Sequence, residues 1–244
     1  MLEDIRTVMW KELREILRQD GELKNGLSIF IMPVALGVLS AFCGRMHWPH
    51  PVMALIFALF IPVLCISAVV ADSFAGERER QTLEALLATR LSDRAILLGI
   101  LLSMVLWAWA VTLVFFLTGV ITVNVVVREP GVVFFGVPGL LAAFLVPPLA
   151  ALAAGSFGMH YSLRAGSVRQ AQMLLGYSAM GLLFIPGFAL RLMPVDMRNA
   201  IIGFFTGLDP LALVLSTALF LLAESYVAVQ AAQARFRRAR LIMD

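Results

Sequence analysis

From Ala95 to Val127 the chain carries no charged side chain, and Pro51–Ala71 carries none either. Runs of that length decide the solvent. The hydrocarbon of a bilayer is ~30 Å thick and takes ~20 apolar residues of helix to cross. Inside it every backbone N–H and C=O must find a partner within the protein, so only helices and closed barrels can span. A barrel needs alternating segments of ~10 residues, and none is seen. The pattern therefore predicts an all-α polytopic membrane protein. Composition agrees: 61% of the 244 residues are hydrophobic, above the ~45–50% of soluble domains.

Six spans are predicted, over 27–44, 51–72, 95–127, 133–160, 170–190 and 208–230. They make one transmembrane domain, 27–230, between an N-terminal segment 1–26 and a basic tail 231–244. Ser92 suits the N-cap of the third span and Asp93 its first turn. That span is long enough to tilt or project beyond the bilayer. Segment 1–26 is charged and lacks an apolar signal-peptide core, so the first span is expected to be retained.

The basic residues set the expected orientation. Arg6, Lys11, Arg14, Arg18 and Lys24 precede the first span. Arg78, Arg80, Arg90 and Arg94 follow the second, Arg164 and Arg169 follow the fourth, and Arg235, Arg237, Arg238 and Arg240 end the chain. The opposite loops hold Arg45, Arg128, Arg191 and Arg198. Fifteen of the 19 basic residues thus fall on one side, which the positive-inside rule makes cytoplasmic, together with both termini. The net charge of +3 is accounted for by this bias, and no nucleic-acid partner is implied.

Two segments outside the spans are patterned. In the first, Ile5, Val8, Met9, Leu13, Ile16 and Leu17 form one helical face and Arg6, Lys11, Arg14, Glu15 and Arg18 the other, with Gly21 as a stop. This predicts an interfacial helix, either a plain anchor or one that also touches a partner. The second is the loop after span two, where Leu83, Leu86 and Leu87 stand at helical spacing among acids and arginines. A short amphipathic helix of this kind lies on lipid or docks a soluble partner. The 191–207 segment, with Ile201, Ile202, Phe204 and Phe205, reads equally as a re-entrant or interfacial helix or as a plain loop.

Few residues offer chemistry inside the spans. Glu224 is the clearest ionisable group, placed by sequence in the cytoplasmic third of its span; it reads first as structural and second as a substrate contact. Asp72 reads as a cap or loop contact. His47 and His50 read as interfacial residues beside Trp48 rather than a metal site, and His160 stands alone. Cys43 and Cys65 read as small apolar residues. Pro33, Pro62, Pro147, Pro148 and Pro186 are expected to loosen helices. Ala150, Ala151, Ala153, Ala154, Gly155 and Gly158 give span four a surface for close packing. No nucleophile–base pair or carboxylate dyad stands out.

The loop FAGERERQTLEALLATRLSDRAILLG, with WKELREILRQ before span one, resembles the ABC-2 type transporter permease family. The family pattern in this loop is close to F-x-x-E-x-E-x-G-T-L-E-x-L-L-x-T-P-x-S-x-x-x-I-L-x-G-K. The chain matches it at Phe74, Glu77, Glu79, Thr82, Leu83, Glu84, Leu86, Leu87, Thr89, Ser92, Ile96, Leu97 and Gly99, and carries Gln81, Arg90 and Ile100 where the pattern has glycine, proline and lysine. The six-span layout and the tail ARFRRARLI also fit.

The resemblance implies a coupling helix in the loop between spans two and three. Leu83, Leu86 and Leu87 would anchor it in a cleft of a cytosolic ATPase subunit, and Glu77, Glu79, Glu84, Arg78 and Arg80 would form its charged rim. Phe74 and Thr82 belong to the same implied site. ATP and Mg would reside on that separate subunit; this chain has no glycine-rich loop ending in Gly-Lys-Ser/Thr. A second permease copy, as a homodimer or with a paralogue, is implied too, as are membrane lipid, the plasma membrane and export. Competing readings are a haem-exporter-like subunit of cytochrome c maturation, an ATP-independent transporter and a membrane-embedded enzyme.

Overall fold

The computed structural model describes residues 1–17, 30–79, 91–127, 131–162 and 167–235. Among them every regular element is a helix. In chain order these are α1 (Leu2–Leu17), α2 (Ile31–Gly44), α3 (Pro51–Glu79), α4 (Asp93–Val127), α5 (Val137–Ser162), α6 (Val168–Leu192), α7 (Val195–Gly207) and α8 (Pro210–Arg235). One 3-10 turn, Arg45–His47, joins α2 to the loop before α3.

Four helices are long and apolar enough to cross a membrane: α3 over Pro51–Ala71, α4 over Asp93–Val126, α5 over Val137–Met159 and α8 over Pro210–Gln233. Two of the six expected spans are not among them. The helix α2 has 14 residues, about 21 Å at ~1.5 Å per residue, and residues 18–29 lie outside the described ones. The helix α6 covers the fifth expected span, but its first turns carry Arg169, Gln170 and Gln172. Boundaries shift elsewhere too. The fourth span begins at Val137, because residues 132–136 are not helical. The second runs on to Glu79.

From α3 to α6 helices consecutive in the chain alternate in direction, so α3 and α5 pack side by side in parallel, and two apolar cores stack along the bundle. One gathers Val8 of α1, Ile66 and Val70 of α3, Ile96, Leu97 and Ile100 of α4, Met159 of α5, Ala171 of α6 and Ala232 of α8. The other gathers Ala41, Trp48, Ala54, Phe115, Phe116, Phe135, Ala143 and Val214. The α1 end thus holds the end of α3, the start of α4, the end of α5, the start of α6 and the end of α8.

Small residues set the closest seam. The α5–α3 pair is the most extensive in the bundle. A Cβ on Gly158 would press on Cγ1 of Val70 at 2.5 Å, and the Ser162 hydroxyl donates to the Ala71 carbonyl at 3.5 Å. Ala150, Ala151 and Ala153 are buried, as their sizes predict. The prolines divide. Pro62, Pro147 and Pro148 lie inside helices. Pro33 sits in the first turn of α2, and the residue four positions before it lies outside the described ones.

Candidate functional site: the α1 end of the bundle

The loop that carries the sequence motif is fixed at both shoulders. On its near side α3 continues through Phe74, Glu77 and Glu79 as one unbroken helix with the second span. Ser73 is buried there and donates to the Val70 carbonyl at 2.8 Å. On its far side Leu91 packs against the α1-end core. Ser92 then caps α4, its Oγ accepting the Ala95 N–H at 3.2 Å, as its position before Asp93 predicts. Thr82, Leu83, Glu84, Leu86 and Leu87 lie outside the described residues.

The helix α1 completes this end. It forms because apolar residues recur at i, i+3 and i+4, with Glu3 and Asp4 in the first turn and Arg14 in the last. A Lys11–Glu15 pair at 3.4 Å adds an i,i+4 contact on the exposed face. Its apolar face is laid on α4. Ile5 and Val8 are buried, Leu13 and Ile16 pack against the second core, and Leu17 is exposed. The contact is possible because position 99 is glycine: a Cβ there would stand 2.6 Å from Val8 Cβ and 3.1 Å from the Ile5 carbonyl oxygen. Sequence periodicity found the apolar face of α1. It did not find its seat, although Gly99 was in view as a motif position.

Charge follows the topology. Arg6, Lys11, Arg14, Arg94 and Arg169 belong to the α1 end, while Arg45, Arg191 and Arg198 belong to the other. The α4 helix has 35 residues, about 52 Å, so it outruns a ~30 Å hydrocarbon layer and leaves room for its α1-bearing turns at the surface.

The opposite end is closed by Trp48. It is 2% exposed rather than a belt residue facing the lipid interface. Its ring packs on Phe57, Phe115, Phe116 and Phe135 at centroid distances of 5.1–6.4 Å, and its Nε1 donates to Ser40 Oγ at 3.1 Å. Gly119 of α4 leaves space for the indole. His47 and His50 are exposed beside it, and His50 Nδ1 accepts the Val52 N–H at 3.3 Å. Among the described residues no group of three His, Cys, Asp or Glu side chains could hold a metal ion. Asn124 pins the adjoining non-helical segment: its Nδ2 donates to the Val133 carbonyl and its Oδ1 accepts the Val133 N–H, both at 2.8 Å. Nothing in the sequence alone distinguished Asn124 from a tolerated polar residue near a span end.

Glu224 lies on α8, half-buried. Its neighbour Ser225 donates to the carbonyl of Leu149 at 3.4 Å, halfway along α5. That contact sets the Glu224 turn of α8 beside the middle of α5. The 191–207 segment is helical over Val195–Gly207, with Val195, Met197 and Phe204 exposed, so a plain loop is ruled out there.

Together these features define, among the described residues, an all-helical protein with four helices able to cross a membrane and an amphipathic N-terminal helix packed along α4. No protein-family model matches the chain, and no curated protein matches it.

Proposed function

We propose that this chain is the membrane-spanning permease subunit of an ATP-binding-cassette exporter, with six spans, both termini in the cytoplasm, and its driving force supplied by a separate cytosolic ATPase. The observation that supports this reading most is mechanical. The motif loop leaves α3 at a buried Ser73 and rejoins the bundle at a core-packed Leu91. A load on residues 80–90 would therefore pass directly into two adjacent bundle helices. The helix α1 on Gly99 braces the first turns of α4 against that load. In this reading Leu83, Leu86 and Leu87 enter the ATPase cleft, Phe74, Glu77, Glu79, Thr82 and Glu84 surround them, and ATP and Mg stay on the ATPase. The permease works as a dimer in the plasma membrane.

Co-purification with a cytosolic Walker-A ATPase, sought first in the adjacent reading frame, tests the reading. Leu86→Asp places a carboxylate against an apolar cleft, at a cost of several kcal/mol where water cannot follow. The variant should insert normally and lose ATPase pull-down and transport. Glu84→Gln should do less, since rim pairs contribute ~0–1 kcal/mol. A well-expressed Leu86→Asp protein with intact association and transport would end this assignment.

A further inference from the structure

The four apolar spans carry charged residues at one place away from their ends, and that place is Glu224. Asp93 and Arg94 open α4 at the α1 end; Pro51–Ala71 and Val137–Met159 hold no charged side chain at all. Among the described residues Glu224 has no ion-pair or hydrogen-bond partner. An isolated carboxylate is costly in hydrocarbon and stays where a counter-charge or a proton is brought to it.

The surroundings say what kind of counter-charge fits. The buried stripe of α8, Leu221, Ser225 and Ala228, faces α5, and Ser225 fastens the two helices at Leu149. Glu224 borders that stripe. One turn away on its other flank Phe220 and Val227 are exposed at 68% and 66%. The carboxylate therefore sits on the edge of the α5–α8 seam, beside an exposed apolar face of α8, with an aromatic side chain one turn along. A hydrated metal ion or a polar solute would meet apolar walls here. A cation that carries its own apolar body meets a counter-charge, a ring face able to take part in a cation–π contact, and lipid-facing surface.

We propose that Glu224 is a binding site for lipophilic cations, entered from the bilayer along the α5–α8 seam. As a transport site this rests on the permease reading; as a binding site it does not, and it is measured on this chain alone. The full-length protein in phosphatidylcholine nanodiscs should bind radiolabelled tetraphenylphosphonium saturably. Glu224→Asp should retain binding, Glu224→Gln should weaken it about tenfold or more, and neutral triphenylphosphine oxide should not compete. Binding by Glu224→Gln equal to the unmodified protein, or no saturable binding above empty nanodiscs, would overturn the proposal. A second measurement needs no variant. Dicyclohexylcarbodiimide, which modifies carboxyl groups inside membranes, should label Glu224, and tetraphenylphosphonium should protect it; labelling undiminished by the cation would also overturn the site. Loss of ATPase association in the coupling experiment leaves all these outcomes unchanged, so the two readings fail separately.

Discussion

Gly99 and Val8 are in contact with no allowance for a side chain at position 99, where a Cβ would stand 2.6 Å from Val8 Cβ. This single glycine lets the amphipathic N-terminal helix become part of the bundle. Because the Ile5 carbonyl is also within 3.1 Å of that Cβ, the obstacle is partly backbone, and rotamer changes alone cannot clear it.

Gly99→Leu should therefore push α1 off α4. Overpacking at such a seat costs roughly 1–3 kcal/mol. Hydrogen exchange at α1 amides should rise while the amides of α4 and α5 stay protected. Gly99→Ala should show a smaller effect, partly relieved by Val8→Ala in the same chain, because the two residues share the contact. Unchanged exchange in α1 for Gly99→Leu would mean that the seat does not hold the helix.

At the other end, Trp48→Ala removes the ring that joins α2, α3, α4 and the 132–136 segment. Large aromatic truncations in packed cores cost about 3–5 kcal/mol. The Ser40 hydroxyl also loses the indole as a donor, though it keeps its own bond to the Gly37 carbonyl. Thermal unfolding in detergent should shift clearly downward. Gly119→Val should mimic much of this without touching the tryptophan, since its side chain would enter the space of the indole. A Gly119→Val protein as stable as the original would contradict the packing.

Asn124→Leu should free the segment after Gly131. It keeps the size of the side chain but strips Val133 of both backbone partners. Each unsatisfied group costs about 1–3 kcal/mol if it stays buried; the segment will instead open to water. Limited proteolysis should then cut near Val132 at least several-fold faster, with helix content by circular dichroism unchanged.

The fold was legible wherever one physical signal was strong. Charge-free length located α3, α4, α5 and α8, and the Ser92–Asp93 start signal fixed the beginning of α4 to the residue. Periodicity found α1 and its buried Ile5 and Val8. Three features were not legible, for separate reasons. Trp48 beside two histidines looks like an interfacial belt, because belt and buried tryptophans share the same sequence context. The fastening of α8 to α5 at Ser225 and Leu149 gave no signal, because a single small hydroxyl in an apolar span looks the same whether or not it reaches a neighbouring helix. The continuation of α3 to Glu79 was hidden because charged residues end a span without ending a helix. For the motif loop, the residue types were legible in the sequence, and the structure adds the shoulders at Ser73 and Leu91.

The side of the membrane on which α1 lies can be settled by labelling. The argument for a cytoplasmic α1 end is the segregation of basic residues, and two exposed positions read it directly. Arg94 lies at the start of α4 at the α1 end, and Val132 is 83% exposed at the Trp48 end. Val132 is a better site than its neighbour Gly131, whose φ of +128° would strain any side chain. Cys43 is exposed and Cys65 is half-buried, so both are first replaced by alanine. A membrane-impermeant maleimide should then label Val132→Cys in intact cells and Arg94→Cys after permeabilisation only. The reverse pattern would place α1 and the motif loop outside the cell, out of reach of any cytosolic ATPase, and the permease reading would fall with the orientation.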